Sequence, residues 1–186
     1  MIKKTVTISL LILSLLLVFV GYLKSDSLFF AKLIKLNNIT TPREVFHWAT
    51  KNYDRATSGP AHHYLSPRYL IEKHKFLWCD EGAIIMATLD HKLGYKTRLI
   101  DLYGNDNISH HTIMEVFEHN KWVTYDFTFK LRDKPASAGS DSCHFRLKEA
   151  RIKPYPKFYN FVVNNNFFAK KLIFMLRGIR EVDPVQ

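Results

Sequence analysis

The sequence predicts an α+β fold in which a cysteine-bearing helix packs on an antiparallel sheet, preceded by an N-terminal transmembrane helix. Three observations lead there. Residues Thr5 to Leu23 (TVTISLLILSLLLVFVGYL) form 19 uncharged, mostly apolar positions behind Lys3 and Lys4. From Cys79 onward, Ala83, Met86, Ala87, Asp90 and Leu93 recur near the helical period, and Gly94 supplies the stop signal expected just past a helix end. After it, Lys96 to Tyr103, Thr112 to Phe117 and Lys121 to Phe129 read as strands, the last two forming a hairpin around Glu118 to Asn120.

At about 1.5 Å per residue the N-terminal run spans roughly the hydrocarbon thickness of a bilayer, and it is longer than the apolar core of an ordinary signal peptide. The expectation is an uncleaved signal anchor over residues 1–27 and one domain over residues 28–186, lying outside the cytoplasm. Cleavage near Ser25-Asp26-Ser27 stays open as an alternative, and Lys24, Lys32 and Lys35 blunt the positive-inside argument. Leu28 to Leu36 is amphipathic and either follows the membrane surface or enters the domain. Glu44 to Tyr53 reads as a short helix after the Thr40 to Pro42 turn, and Ser58 to Ser66 as loop. Beyond Leu131, Pro135, Gly139, Pro154 and Pro156 punctuate loops. The run Phe158 to Met175, broken by Asn164-Asn165-Asn166 and Lys170-Lys171, reads as a docked helix rather than a second span.

Twenty-seven Lys+Arg against 17 Asp+Glu give a net charge of +10, which favours acidic partners such as phospholipid head groups or an anionic envelope polymer. No zinc-finger spacing, glycine-rich phosphate loop or RNA-binding aromatic signature accompanies the charge, so nucleic acid is not an expected partner. His62, His63 and His74 do not stand at familiar zinc spacings; neither a metal nor a cofactor is expected. The two cysteines, Cys79 and Cys143, cannot make a disulfide framework. Cys143, in the polar stretch SAGSDSCHFRL, reads as spare, and Cys79 as unpaired.

A thiol attacks acyl groups as its thiolate, which an ordinary cysteine supplies sparsely at neutral pH. A helix N-terminus and a neighbouring imidazole both enrich it, and Cys79 opens its predicted helix. The hairpin decides which imidazole is available. With an even number of loop residues, His111 and Asp126 project from one face together with Trp122 and Thr124. An odd loop puts His110 beside Asp126 instead. On the even register Asp126 can fix the tautomer of His111, whose other nitrogen then faces the thiol: a nucleophile, a base and an orienter.

The segment WCDEGAIIMATLDHKLGYKTRLIDL, followed by HHTIMEVFEHNKWVTYDFTF, resembles the core of the transglutaminase-like superfamily. The resemblance covers about Trp78 to Phe129. It rests on Cys79 with Ala83 four residues on, then Leu93-Gly94-Tyr95 with Arg98. His111 with Glu115-Val116 follows, and Lys121-Trp122-Val123 with Asp126 and Thr128 closes the pattern. The spacing from His111 to Glu115-Val116 selects His111 over His110. Phe127 departs from the pattern, which has proline after the aspartate in many members, and Trp78 is given no oxyanion role. The resemblance implies a papain-like fold, a Cys79–His111–Asp126 triad, a covalent thioester and no metal. It also implies a peptide or protein substrate cleaved by water or cross-linked to an amine. The competing reading is a non-catalytic module that binds an anionic envelope polymer or a membrane partner.

Overall fold

The computed structural model describes residues 13–14, 25–58, 67–143 and 145–154. Its helices are α1 (residues 25–36), α2 (Pro42–Asn52), α3 (Pro67–Lys73), α4 (Cys79–Lys92) and α5 (Ala136–Ser142). Its strands are β1 (Asp54–Arg55), β2 (Phe76–Leu77), β3 (Lys96–Gly104), β4 (Ser109–Glu118), β5 (Lys121–Asp126), β6 (Leu131–Arg132) and β7 (Leu147–Pro154). An antiparallel sheet runs in the order β6-β5-β4-β3-β7, and β1 and β2 form a separate parallel pair. The chain is therefore α+β, with the cysteine at the first residue of α4.

Local chemistry sets the boundaries that matter for the site. Thr41 caps α2, its hydroxyl accepting from the Glu44 amide at 3.3 Å while the Glu44 carboxylate accepts from the Thr41 amide at 3.0 Å. Pro42 fills the first helical position, where its missing N–H costs nothing. At the other end of α4, Gly94 takes φ +92°, a conformation a side chain would strain, and turns the chain into β3. His119 and Asn120 are the two loop residues between β4 and β5, with φ of 51° and 61°. Two successive positive-φ residues match the right-handed strand twist, and they fix an even register: Glu118 opposes Lys121, Val116 opposes Val123 and Met114 opposes Tyr125.

The sheet separates two apolar layers. On one face Leu99, Met114, Val116, Val123 and Tyr125 pack with Ile85, Met86 and Leu89 of α4, with Val45 and Phe46 of α2, and with Phe30 of α1. On the other, Ile100, Leu102 and Ile113 pack with Ala136 of α5 and with Phe145 and Leu147. Fully burying each such side chain contributes roughly 1.5–3 kcal/mol, so the α4 face supplies most of the hydrophobic stabilisation.

The expected N-terminal transmembrane helix is corrected. Among the described residues no helix is long and apolar enough to cross a membrane. Of Thr5 to Leu23 only residues 13–14 are described; the rest of that run lies outside the described residues. The helix that follows, α1, belongs to the domain: Phe30 is buried in the main core, and buried Asp26 pairs with Arg68 of α3 at 3.1 Å. Lys32 and Lys35 on the same helix are charges that a lipid-facing helix would have to desolvate. The loop reading beyond Leu131 is also corrected, because α5 and β7 form there. Strand β7 is held by its pairing with β3, and Lys148, Glu149 and Arg151 on it are exposed, so no alternation marks it. The docked helix expected over Phe158 to Met175 lies outside the described residues, as do His62, His63 and most of the Ser58 to Ser66 loop.

Candidate active site

His111 and Asp126 meet through the register that the two-residue turn imposes. His111 opposes Leu102 on β3, and side chains alternate along β4, so His111 and Ile113 share the α5 face of the sheet. His111 Nε2 lies 2.8 Å from Asp126 Oδ2, with both side chains almost wholly out of solvent. The other carboxylate oxygen, Oδ1, accepts from the Phe129 amide at 3.1 Å across the turn that ends β5. A carboxylate accepts, so Nε2 carries a proton, and in the neutral ring Nδ1 is then the lone-pair nitrogen. Phe129 then packs edge-on against the imidazole, with ring centroids 5.3 Å apart. His110 points elsewhere: its Nε2 lies 2.7 Å from Asp106 Oδ2, and its ring packs on Phe145.

Cys79 reaches the same region from the α4 side. The Glu81 carboxylate, buried in the first turn, accepts from the Trp78 amide at 2.9 Å and anchors the helix start. The β4–β5 ladder ends at Met114 and Tyr125, and the Thr112 amide beyond it faces the Cys79 sulfur, as does the amide of Asp80. Thr112 is itself held by its hydroxyl, which donates to Asp101 Oδ1 at 3.0 Å. The half-buried thiol thus stands against the backbone of the residue that follows His111.

The resting charge state differs from the expectation of an enriched thiolate. Burial, with the Asp80 carboxylate beside it, pushes the Cys79 thiol up to about 12, and the amides of Thr112 and Asp80 pull only partly the other way. Desolvation disfavours the anion, and an acidic residue in the first turn offsets the helix dipole that favours it. The thiol is therefore held protonated at neutral pH, and a reaction through its thiolate would need a base.

Three neighbours escaped the sequence reading. Gly139 of α5 lies over the pair: a Cβ there would stand 3.1 Å from His111 Cδ2 and 3.2 Å from Asp126 Oδ2. The run of small residues Ala136-Ser137-Ala138-Gly139 was the available signal for this close approach. Cys143, just past α5, is half-buried; burial raises its thiol, Arg55 lowers it and Asp126 raises it. It is free, as Cys79 is, and once ionised it would raise the Cys79 thiol further. The polar sequence around Cys143 marks it as spare, yet it borders the site. The third neighbour, Arg55, lies 5.0 Å above the centre of the Phe129 ring. Among the described residues no group of three or more His, Cys, Asp or Glu side chains could hold a metal ion. A groove of about 790 Å³ lies at the other end of the hairpin, lined by Thr41, Arg43, Glu118, His119 and Arg132, and contains none of the three residues.

No protein-family model matches this chain, and no curated protein matches it.

Proposed function

We propose that the protein is a thiol-dependent acyl-transfer enzyme of the transglutaminase-like kind, acting on a peptide or protein amide through Cys79, His111 and Asp126. The observation that carries this reading is the buried His111–Asp126 hydrogen bond at 2.8 Å, one residue from the amide that faces the Cys79 sulfur. Nucleophilic acyl transfer needs a histidine oriented by a carboxylate and a thiol within its reach; the first is the His111–Asp126 pair, and the Cys79 thiol at its helix start meets the backbone one residue from His111.

In the first half-reaction His111 Nδ1 takes the thiol proton as Sγ adds to the substrate carbonyl. The helix-start amide of Cys79 has no partner within the helix and is a suitable donor to the oxyanion. The carbon–nitrogen bond then breaks, the amine leaves with the proton from His111, and a thioester remains. Water adds to the thioester, giving its proton to His111, and the carbon–sulfur bond breaks to release the acid and restore the thiol. An amine in place of water would give cross-linking. Hydrolysis is favoured because no dedicated amine-acceptor site is evident among the described residues.

Reaction with p-nitrophenyl acetate tests the reading. The expected result is a stoichiometric burst of nitrophenol and one acetyl group on Cys79, both lost in Cys79→Ser and His111→Ala. Acetylation of Cys79 no faster than that of Cys143, or a burst indifferent to His111, overturns it. One observation favours a second reading, a binding module that keeps the fold without the chemistry: the protonated resting thiol. That reading gains if Cys79 acetylation rises only as expected for an isolated thiol with a raised pKa.

A further inference from the structure

Arg55 has no catalytic part in the reading above, yet two independent connections bring it to the site. Through the backbone, β1 pairs with β2 so that Arg55 opposes Leu77, and the Ala56 amide donates to the Leu77 carbonyl at 2.9 Å. Leu77 is fully buried and lies two residues before Cys79, so this short parallel pair fixes Arg55 beside the start of α4. Through the side chain, the guanidinium sits 5.0 Å from the centre of the Phe129 ring, and Phe129 packs edge-on against His111. Strand pairing thus holds the Arg55 backbone against the segment that leads into α4, and ring stacking holds its cation over Phe129, the ring that packs on His111.

Arg55 is exposed, and among the described residues it makes no ion pair, unlike Arg68, Arg98, Arg132 and Arg151, each of which is paired with a carboxylate. A guanidinium stacked on an aromatic face has its plane set in advance, so its forked N–H groups lose little freedom when they grip a carboxylate in two places. Its charge is felt locally, since it draws the neighbouring Cys143 thiol down against the effect of burial.

We propose that Arg55 is a specificity residue, binding a carboxylate that the acyl substrate carries next to the carbonyl attacked by Cys79. The substrate class is accordingly an acidic peptide or amide. This deepens the acyl-transfer reading and rests on it.

Iodoacetate and iodoacetamide differ by one carboxylate beside the reacting carbon, and their alkylation rates at Cys79 in the full chain isolate the role of Arg55. The rates are followed by peptide mass spectrometry at about pH 8.5, near an ordinary thiol pKa. Arg55→Gln is expected to slow iodoacetate about five- to tenfold and to leave iodoacetamide within about twofold, a size typical of local charge focusing. The wild-type preference is expected to shrink as salt is added. Lys96→Gln removes the same charge from the far end of β3, six positions or roughly 20 Å along the strand from Leu102, and should change neither rate. An unchanged ratio in Arg55→Gln, or an equal fall in Lys96→Gln, overturns the proposal; a wild-type ratio indifferent to salt does so without any variant. His111→Ala in the same assay reports separately on the acyl-transfer reading. Loss of reactivity towards both reagents supports that reading, and unchanged reactivity overturns it while the Arg55 ratio stands as its own result.

Discussion

Gly82 and Phe127 touch so closely that no side chain fits between them: a Cβ on Gly82 would overlap the base of the Phe127 ring. Gly82 lies one turn into α4, and buried Phe127 follows Asp126 directly, so this contact locks the helix that begins at Cys79 to the turn that follows Asp126. The position after the aspartate carries phenylalanine, where the transglutaminase-like pattern that the sequence resembles has proline in many members. The glycine opposite it is the complementary feature.

Gly82→Ala is therefore expected to destabilise the fold by about 1–3 kcal/mol through overpacking, despite the better helix propensity of alanine. Urea unfolding measures it. The double variant Gly82→Ala/Phe127→Leu should regain part of the loss, because the two sites are in contact and their effects do not add.

Asp126→Asn tests orientation without a change of shape. The amide cannot hold His111 as the carboxylate does, so Nδ1 is no longer reliably the basic nitrogen. Acetyl transfer from p-nitrophenyl acetate should fall by roughly 10³- to 10⁴-fold, by analogy with the same change in serine-protease triads. Circular dichroism should stay native. Retained activity would remove Asp126 from the mechanism.

Arg98 has a structural role. Its guanidinium lies 4.1 Å from the centre of the Trp122 ring and pairs with Glu115 across β3 and β4. Lysine cannot reproduce both the stacking and the forked pairing, so Arg98→Lys should cost about 0.5–2 kcal/mol. Acyl transfer per folded molecule should be unchanged.

Asp90 predicts the sign of a pH dependence. It is wholly buried in α4, neither carboxyl oxygen has a hydrogen-bond partner among the described residues, and burial followed by the nearby Glu118 raises its pKa well above normal. The folded state therefore keeps a proton that the unfolded chain releases near pH of about 3.9. Its stabilising effect is fully present below that point and is lost as pH rises through the folded pKa. As pH rises above the unfolded value towards the raised folded one, the urea midpoint of the wild type should fall, and Asp90→Asn, which cannot ionise, should flatten that decline. An equally steep decline in the variant would assign it to another group.

Much of the candidate site was legible because local chemistry encodes it. The helix from Cys79 to Lys92, its glycine stop and the strands after it follow from periodicity and backbone conformation. The even register was one of two open choices until the positive φ of His119 and Asn120 closed the turn in two residues, which excluded His110 from Asp126. The stretch beyond Leu131 was illegible, since an exposed edge strand such as β7 carries no alternation and is formed by pairing with β3.

What the sequence by itself determined, then, is what short-range rules specify: a cysteine at a helix start, and a hairpin able to align a histidine with an aspartate. Only the tertiary structure decided how those groups are solvated and surrounded. Burial raised the Cys79 thiol, α5 brought Gly139 and Cys143 to the site, and the β1–β2 pair placed Arg55 opposite Leu77, two residues before Cys79. The physical reason is that desolvation and long-range pairing depend on which surfaces meet, and residues far apart in the chain carry no local pattern that announces their meeting.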